Sequence, residues 1–170
     1  MKRAVVIVSI ATLSVLGLIT ASVLPSGAQV PPAPIAVELL TPRSTFTDDV
    51  ALKFRYKLDG TSPSEIINST DPSRTVVARI TVQPGARFPW HTHLGPVIVN
   101  VAQGELVYVQ AHDCLERSYP SGTAFVDPGR GHVHTAFNPT NQATVLVATF
   151  FEVPESGAIT ITEGVTPGDC

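Results

Sequence analysis

Charge is scarce in this chain. Only 15% of its 170 residues are Asp, Glu, Lys or Arg, and the 11 Lys and Arg gather into no stripe. A nucleic-acid surface, which needs clustered cations, is thereby excluded. A helical period is missing as well: after residue 28 no segment repeats its apolar positions every 3.6 residues. Cysteine is limited to Cys114 and Cys170, so no more than one bridge can form. What the chain does have is 15 prolines and 12 glycines, scattered between short β-branched runs. That grammar belongs to strands joined by tight turns.

The N-terminus reads as a targeting segment. Lys2 and Arg3 form a basic start, Ala4 to Leu24 is uncharged and mostly apolar, and Ser26-Gly27-Ala28 places small residues just before Gln29. This is the pattern of a secretory signal peptide over residues 1–28. The same apolar run is long enough for an uncleaved membrane anchor; the small-residue triplet after Pro25 favours cleavage. Either way the remainder is exported. Without Lys2 and Arg3, 9 basic residues face 14 acidic ones, a net charge of −5. Residues 29–34, rich in proline, form a tether, and residues 35–170 form one domain, which fits the chain length.

The domain reads as strands. Ile35–Leu40 is a first apolar run. Val50–Lys57 sets Leu52, Phe54 and Tyr56 on one face and Lys53, Arg55 and Lys57 on the other, a half-buried strand. The turn-rich stretches DGTSPSEIINSTDPS and HDCLERSYPSG read as loops. Thr75–Val82, Val97–Ala102, Leu106–Gln110, Thr123–Val126, His132–Phe137 and Thr144–Val153 are further strands, and Asp127–Gly131 is a turn. Many short strands without helices imply a closed or double-sheet all-β domain, because an open sheet leaves long edges exposed.

Four of the five histidines fall in two clusters, His91-x-His93 and His132-x-His134; the fifth is His112. In an extended chain residues two apart share a face, so each pair presents two imidazoles together. The stretch PWHTHLGPVIVNVAQGEL (89–106) holds the first pair, then a proline turn and an apolar strand.

The spacing around these pairs resembles the two signature motifs of the cupin superfamily. The first runs Gly85, His91-x-His93, Val97 and Gly104; the second runs Gly122, Pro128, Gly131, His134 and Asn138. The resemblance covers roughly residues 75–153, and the layout is similar to small, single-domain, secreted bacterial cupins. It implies a double-stranded β-helix, a jelly-roll barrel with a metal ion inside, preceded here by the N-terminal signal helix. Two departures stand out. The family's glutamate ligand is replaced by Val97, with Ile98 beside it and Glu105 beyond the glycine turn. Pro128 and Gly131 are also separated by one residue more than usual. His134 keeps the spacing to Gly131 and Asn138, and His132 on the same face competes with it.

The resemblance thus implies a site of His91, His93 and His134 without a carboxylate. Imidazole suits Fe, Ni, Cu and Zn alike, and Mn is a further candidate, so the ligands do not select the divalent ion. Three-His cupins include dioxygenases of enol, thiol and phenol-like anionic substrates, and a water-activating zinc site is chemically sensible as well. A metal-dependent dioxygenase is therefore one expectation, and a non-catalytic small-molecule or sugar-binding module is the other. A sugar-nucleotide isomerase would need a general base, and export argues against nucleotide substrates. Arg87, Phe88, Trp90, Tyr108 and Phe137 lie near the ligands in sequence and are candidates for the pocket wall, against plain core packing for the aromatics and a solvated face for Arg87; Asn138 fixes a turn. The expected partner is a small-molecule ligand or substrate, with no nucleic acid, a membrane only through an uncleaved N-terminal segment, and a homodimer as the oligomer to look for. In an oxidising compartment Cys114 and Cys170 are expected to pair and hold down the C-terminal tail.

Overall fold

The computed structural model describes residues 33–58, 64–167 and 170. The expected signal peptide, and residues 29–32 of the tether, lie outside them. All described residues belong to the unit Pro31–Cys170. Among them no helix is long and apolar enough to cross a membrane.

The expected all-β class holds: among the described residues thirteen strands pair antiparallel. One sheet runs β1 (Ile35–Leu39), β5 (Arg74–Val82), β12 (Thr144–Phe150), β7 (Val97–Gln103) and β10 (Ala124–Asp127), with β2 (Ser44–Thr45) also on β5. Another runs β11 (His134–Phe137), β8 (Glu105–Gln110) and β9 (Glu116–Pro120). The bridges Arg87↔Phe137 and His91↔His134 lay the segment before β6 (Thr92–His93) along β11. β13 (Thr160–Ile161) pairs with β6, and β3 (Leu52–Tyr56) with β4 (Glu65–Ser69).

Period-two alternation builds the barrel wall. Val76, Ala78, Ile80 and Val82 of β5 point inward, against Phe150, Ala148, Leu146 and Thr144 of β12. Val97, Val99 and Val101 of β7 continue the layer. Fully burying each such valine or leucine contributes about 1.5–3 kcal/mol. β8 is covered on both faces, which explains why its sequence, LVYV after Glu105, is nearly continuous in apolar residues.

Several boundaries differ from the sequence reading. Glu65–Ser69 and Glu116–Pro120 are strands, not loops. Neither carries a long apolar run; each is specified by its partner, β3 or β8, across the pair. The last long strand ends at Phe150 rather than Val153, and β11 starts at His134 rather than His132. The extra residue between Pro128 and Gly131 is absorbed by a left-handed turn, with φ of 60°, 50° and 86° at Gly129, Arg130 and Gly131. Gly129 must be glycine for a second reason: a Cβ there would lie 2.0 Å from the Gly95 carbonyl oxygen. Asn138 fixes its turn as expected, donating to the carbonyls of Val82 and Gln142 while its Oδ1 accepts from Thr140.

The cysteines pair. Cys114 and Cys170 form a disulfide with a Cα separation of 5.5 Å. It ties the end of the chain to the loop between β8 and β9.

Candidate metal centre

His91, His93 and His134 come together inside the barrel. One ring nitrogen from each lies within 4.8 Å of the other two, and all three residues are buried. Local pairing explains the meeting. His91 and His134 exchange backbone hydrogen bonds, both of 2.9 Å, so their strands stand side by side. Period-two spacing then brings His93 onto the face of His91.

Each ring is held from behind. Nδ1 lies 2.7 Å from the Pro89 carbonyl in His91, 3.1 Å from the Ile159 carbonyl in His93, and 3.3 Å from the His132 carbonyl in His134. In His91 this assigns hydrogen to Nδ1 and a lone pair to Nε2, the arrangement of metal-ligating histidines; in His93 and His134 Nδ1 faces a carbonyl in the same way. Burial, first of all, lowers the pKa of all three rings to about 4. In His91 the charge of His134 adds to that effect; in His93 the Asp127 carboxylate opposes it. The rings are therefore neutral at pH 7, the state a metal requires.

The other histidines are elsewhere. His132, the competitor for the third position, faces Glu65 at 3.7 Å and is partly exposed. His112 is exposed beside Asp113. Among the residues considered for the pocket, Phe88 and Tyr108 line it. Arg87 instead lies over the Phe137 ring, 4.0 Å from its centroid. Trp90 is not part of the lining.

A buried carboxylate is present that the sequence reading missed. Asp127, 2% exposed, brings Oδ2 within 3.2 Å of His134 Nε2 and 3.5 Å of His93 Nε2. Its Oδ1 accepts from the Gly129 amide at 3.0 Å and from the Tyr108 hydroxyl at 3.4 Å. Burial raises its pKa, against the pull of His93. The sequence held a signal for it: Phe125 and Asp127 are two apart on β10, so an inward Phe125 turns Asp127 inward too. Treating Asp127–Gly131 as a turn hid that period. The tail was missed in the same way. β13 pairs with His93 and Thr92, and Ile159 and Thr160 reach the pocket wall.

The cavity in front of the histidines measures about 140 Å³. Val97, Val99, Leu106, Phe125 and Phe150 make its walls, and Val37 and Leu39, largely exposed, stand at its edge. Its polar groups are the three imidazoles, Asp127, Tyr108 and Thr160. A cavity near this size, about 150 Å³, admits benzene elsewhere.

No protein-family profile matches the chain. It is 33% identical over 82 residues to an (R)-mandelonitrile lyase of Granulicella tundricola, a match covering 48% of this chain and 61% of the lyase. Among solved structures it is similar to an oxalate oxidase in complex with the substrate analogue glycolate, with 27% identity, a TM-score of 0.41, and coverage of 44% of this chain and 40% of that one. It is also similar to the cupin domain of a transcriptional regulator from Enterobacter cloacae, with 16% identity, a TM-score of 0.47, and coverage of 72% of this chain and all of that domain. The chain thus spans less than two thirds of the lyase and of the oxidase. The structural neighbours are cupin-family proteins, the family that the two histidine motifs resemble.

Proposed function

We propose that this is an exported, mononuclear metal-binding cupin that acts on small, largely apolar molecules carrying an ionisable oxygen or sulfur. One divalent ion, Fe, Mn, Ni, Cu or Zn, is held by His91, His93 and His134. The observation that carries the reading is the convergence of three buried, neutral imidazoles, each oriented through Nδ1 by a backbone carbonyl. The ion would supply Lewis acidity and, if redox-active, a place for O₂. The barrel supplies rigid ligands and dry apolar walls, which strengthen every polar contact made inside. An enol, thiol or phenol fits the cavity, its apolar part on Val99, Leu106 and Phe125 and its anionic atom toward the histidines. Sugar binding is poorly supported, because the apolar walls would leave hydroxyls unpaired.

On this reading the reaction is that of a metal-dependent dioxygenase. A second reaction is favoured by the 33% identity to a mandelonitrile lyase: cleavage of an aromatic cyanohydrin to aldehyde and cyanide, which needs no O₂. The Cys114–Cys170 bridge supports an oxidising compartment, in line with removal of residues 1–28 on export and a folded domain over 35–170. The test is turnover by the metal-loaded protein on a panel of enols, thiols, phenols and mandelonitrile. O₂ consumption with the first three supports the dioxygenase, and cyanide release under argon supports the lyase. Saturable binding with neither reduces the protein to a binding module.

A further inference from the structure

We infer that Asp127 is the carboxylate ligand of this site, supplied by β10 in place of the position that Val97 occupies on β7. The inference rests on the metal reading above and extends its ligand set.

The argument is one of donors and acceptors. A neutral imidazole has a single N–H. His93 faces two oxygens, the Ile159 carbonyl through Nδ1 and Asp127 Oδ2 through Nε2. His134 likewise faces the His132 carbonyl and Asp127 Oδ2. Whichever tautomer each ring adopts, one lone pair is left pointing at an oxygen. Two such clashes around one buried oxygen are costly: a proton on Oδ2 relieves one of them, whereas a cation lying between the three groups relieves both. A metal ion removes both at once, because it binds lone pairs and needs no N–H.

The geometry toward His93 and His134 suits that role. Donor atoms bonded at about 2.1 Å to one ion stand roughly 3.0–3.5 Å apart, and Oδ2 lies 3.2 and 3.5 Å from the two Nε2 atoms. The carboxylate is also held in place. The Gly129 amide and the Tyr108 hydroxyl bind Oδ1, and Gln110 donates to that hydroxyl at 3.0 Å, which leaves Oδ2 as the oxygen turned to the histidines.

The strand register explains how a carboxylate can change strands. Asp127 is paired directly across from Val97. Side chains on opposed positions of an antiparallel pair lie close together on the same face. A carboxylate on either strand therefore reaches the same point in the barrel. With Asp127 bound, a divalent ion keeps one net positive charge, enough to attract a singly charged anionic substrate.

The test is Co(II) titration of purified wild type, Asp127→Asn, Val97→Glu/Asp127→Asn and His134→Ala, followed by visible absorption and thermal unfolding of the metal-free forms. Asp127→Asn is isosteric and is expected to bind Co(II) at least about 10–100-fold more weakly with an altered spectrum. Its metal-free form should melt no lower than wild type, because the amide donates where two acceptors clashed. The double variant should recover affinity, the carboxylate now coming from β7. Wild-type affinity and spectrum in Asp127→Asn, with binding lost in His134→Ala, would overturn the inference and leave the three histidines standing. Wild-type affinity in His134→Ala would overturn the metal reading itself. Crystals of Zn(II)-loaded wild type decide without a variant: Oδ2 at about 2.0–2.2 Å from the ion is expected, and Oδ2 outside the coordination sphere refutes it.

Discussion

Replacing both Cys114 and Cys170 by Ser opens the bridge without leaving a thiol to compete for metal. The bridge spans a sequence separation of 56 residues, for which chain entropy gives an upper bound of about 4 kcal/mol on the stability lost. The structure shows where the loss falls. Residues 162–164 are exposed, and what then holds the tail includes the two-residue pair between β13 and β6, the packing of Ile159 on the core with its carbonyl on His93, and the bonds from Arg43 to the Pro154 and Gly157 carbonyls. Each such hydrogen bond is worth about 0.5–1.5 kcal/mol net. The tail should therefore populate detached states while the barrel stays folded. Detachment takes the Ile159 carbonyl from His93 Nδ1 and removes Thr160 from the cavity wall. Loss of one such orienting partner lowers metal affinity by roughly 10–100-fold. Metal titration combined with hydrogen exchange over residues 159–162 checks both links. Fast exchange there with unchanged affinity would refute the claim that the tail orients His93; slow exchange would refute the claim that the bridge holds the tail.

His91→Ala, His93→Ala and His134→Ala are each expected to lose stoichiometric metal by elemental analysis, whereas His132→Ala, whose ring faces Glu65, retains it; metal lost in His132→Ala but kept in His134→Ala would move the second motif by one pair. The metal-free protein should weaken in acid. The three rings fold with pKa values of about 4 against about 6.5 unfolded, so their contribution is complete above pH 6.5 and falls toward pH 4 by up to about 1.4 kcal/mol per pH unit per ring. Asp127, its pKa raised by burial, has the opposite sign and offsets part of this. A urea midpoint higher at pH 5 than at pH 7 contradicts the burial argument. Asn138→Ala removes donors to the Val82 and Gln142 carbonyls and the acceptor of Thr140, and should cost about 2–4 kcal/mol in chemical denaturation; a cost below about 1 kcal/mol means the turn closes without it.

The barrel was legible because its inner residues alternate. Val76, Ala78, Ile80 and Val82 announce a strand and a buried face at once. The histidine pairs were legible for the same reason, since x between two histidines fixes their common face. The strands β4 and β9 were not, because EIINS and ERSYP carry little apolar content and owe their extended form to β3 and β8. Asp127 was hidden by local grammar: Asp-Pro-Gly reads as a turn, yet its first residue is the last of β10, on the inward face. The tail's reach to His93 depends on pairing between residues 67 positions apart, Thr160 with His93, and two-residue strands leave no periodicity to read.

The central claim is that three oriented imidazoles hold one metal ion. Metal content of protein purified without added metal or affinity-tag nickel, and again after loading with Fe(II), Mn(II), Ni(II), Cu(II) and Zn(II) in turn, tests it directly. One divalent ion per chain, lost in His134→Ala, is the result expected; a wild-type protein that retains no ion under any of these conditions contradicts it.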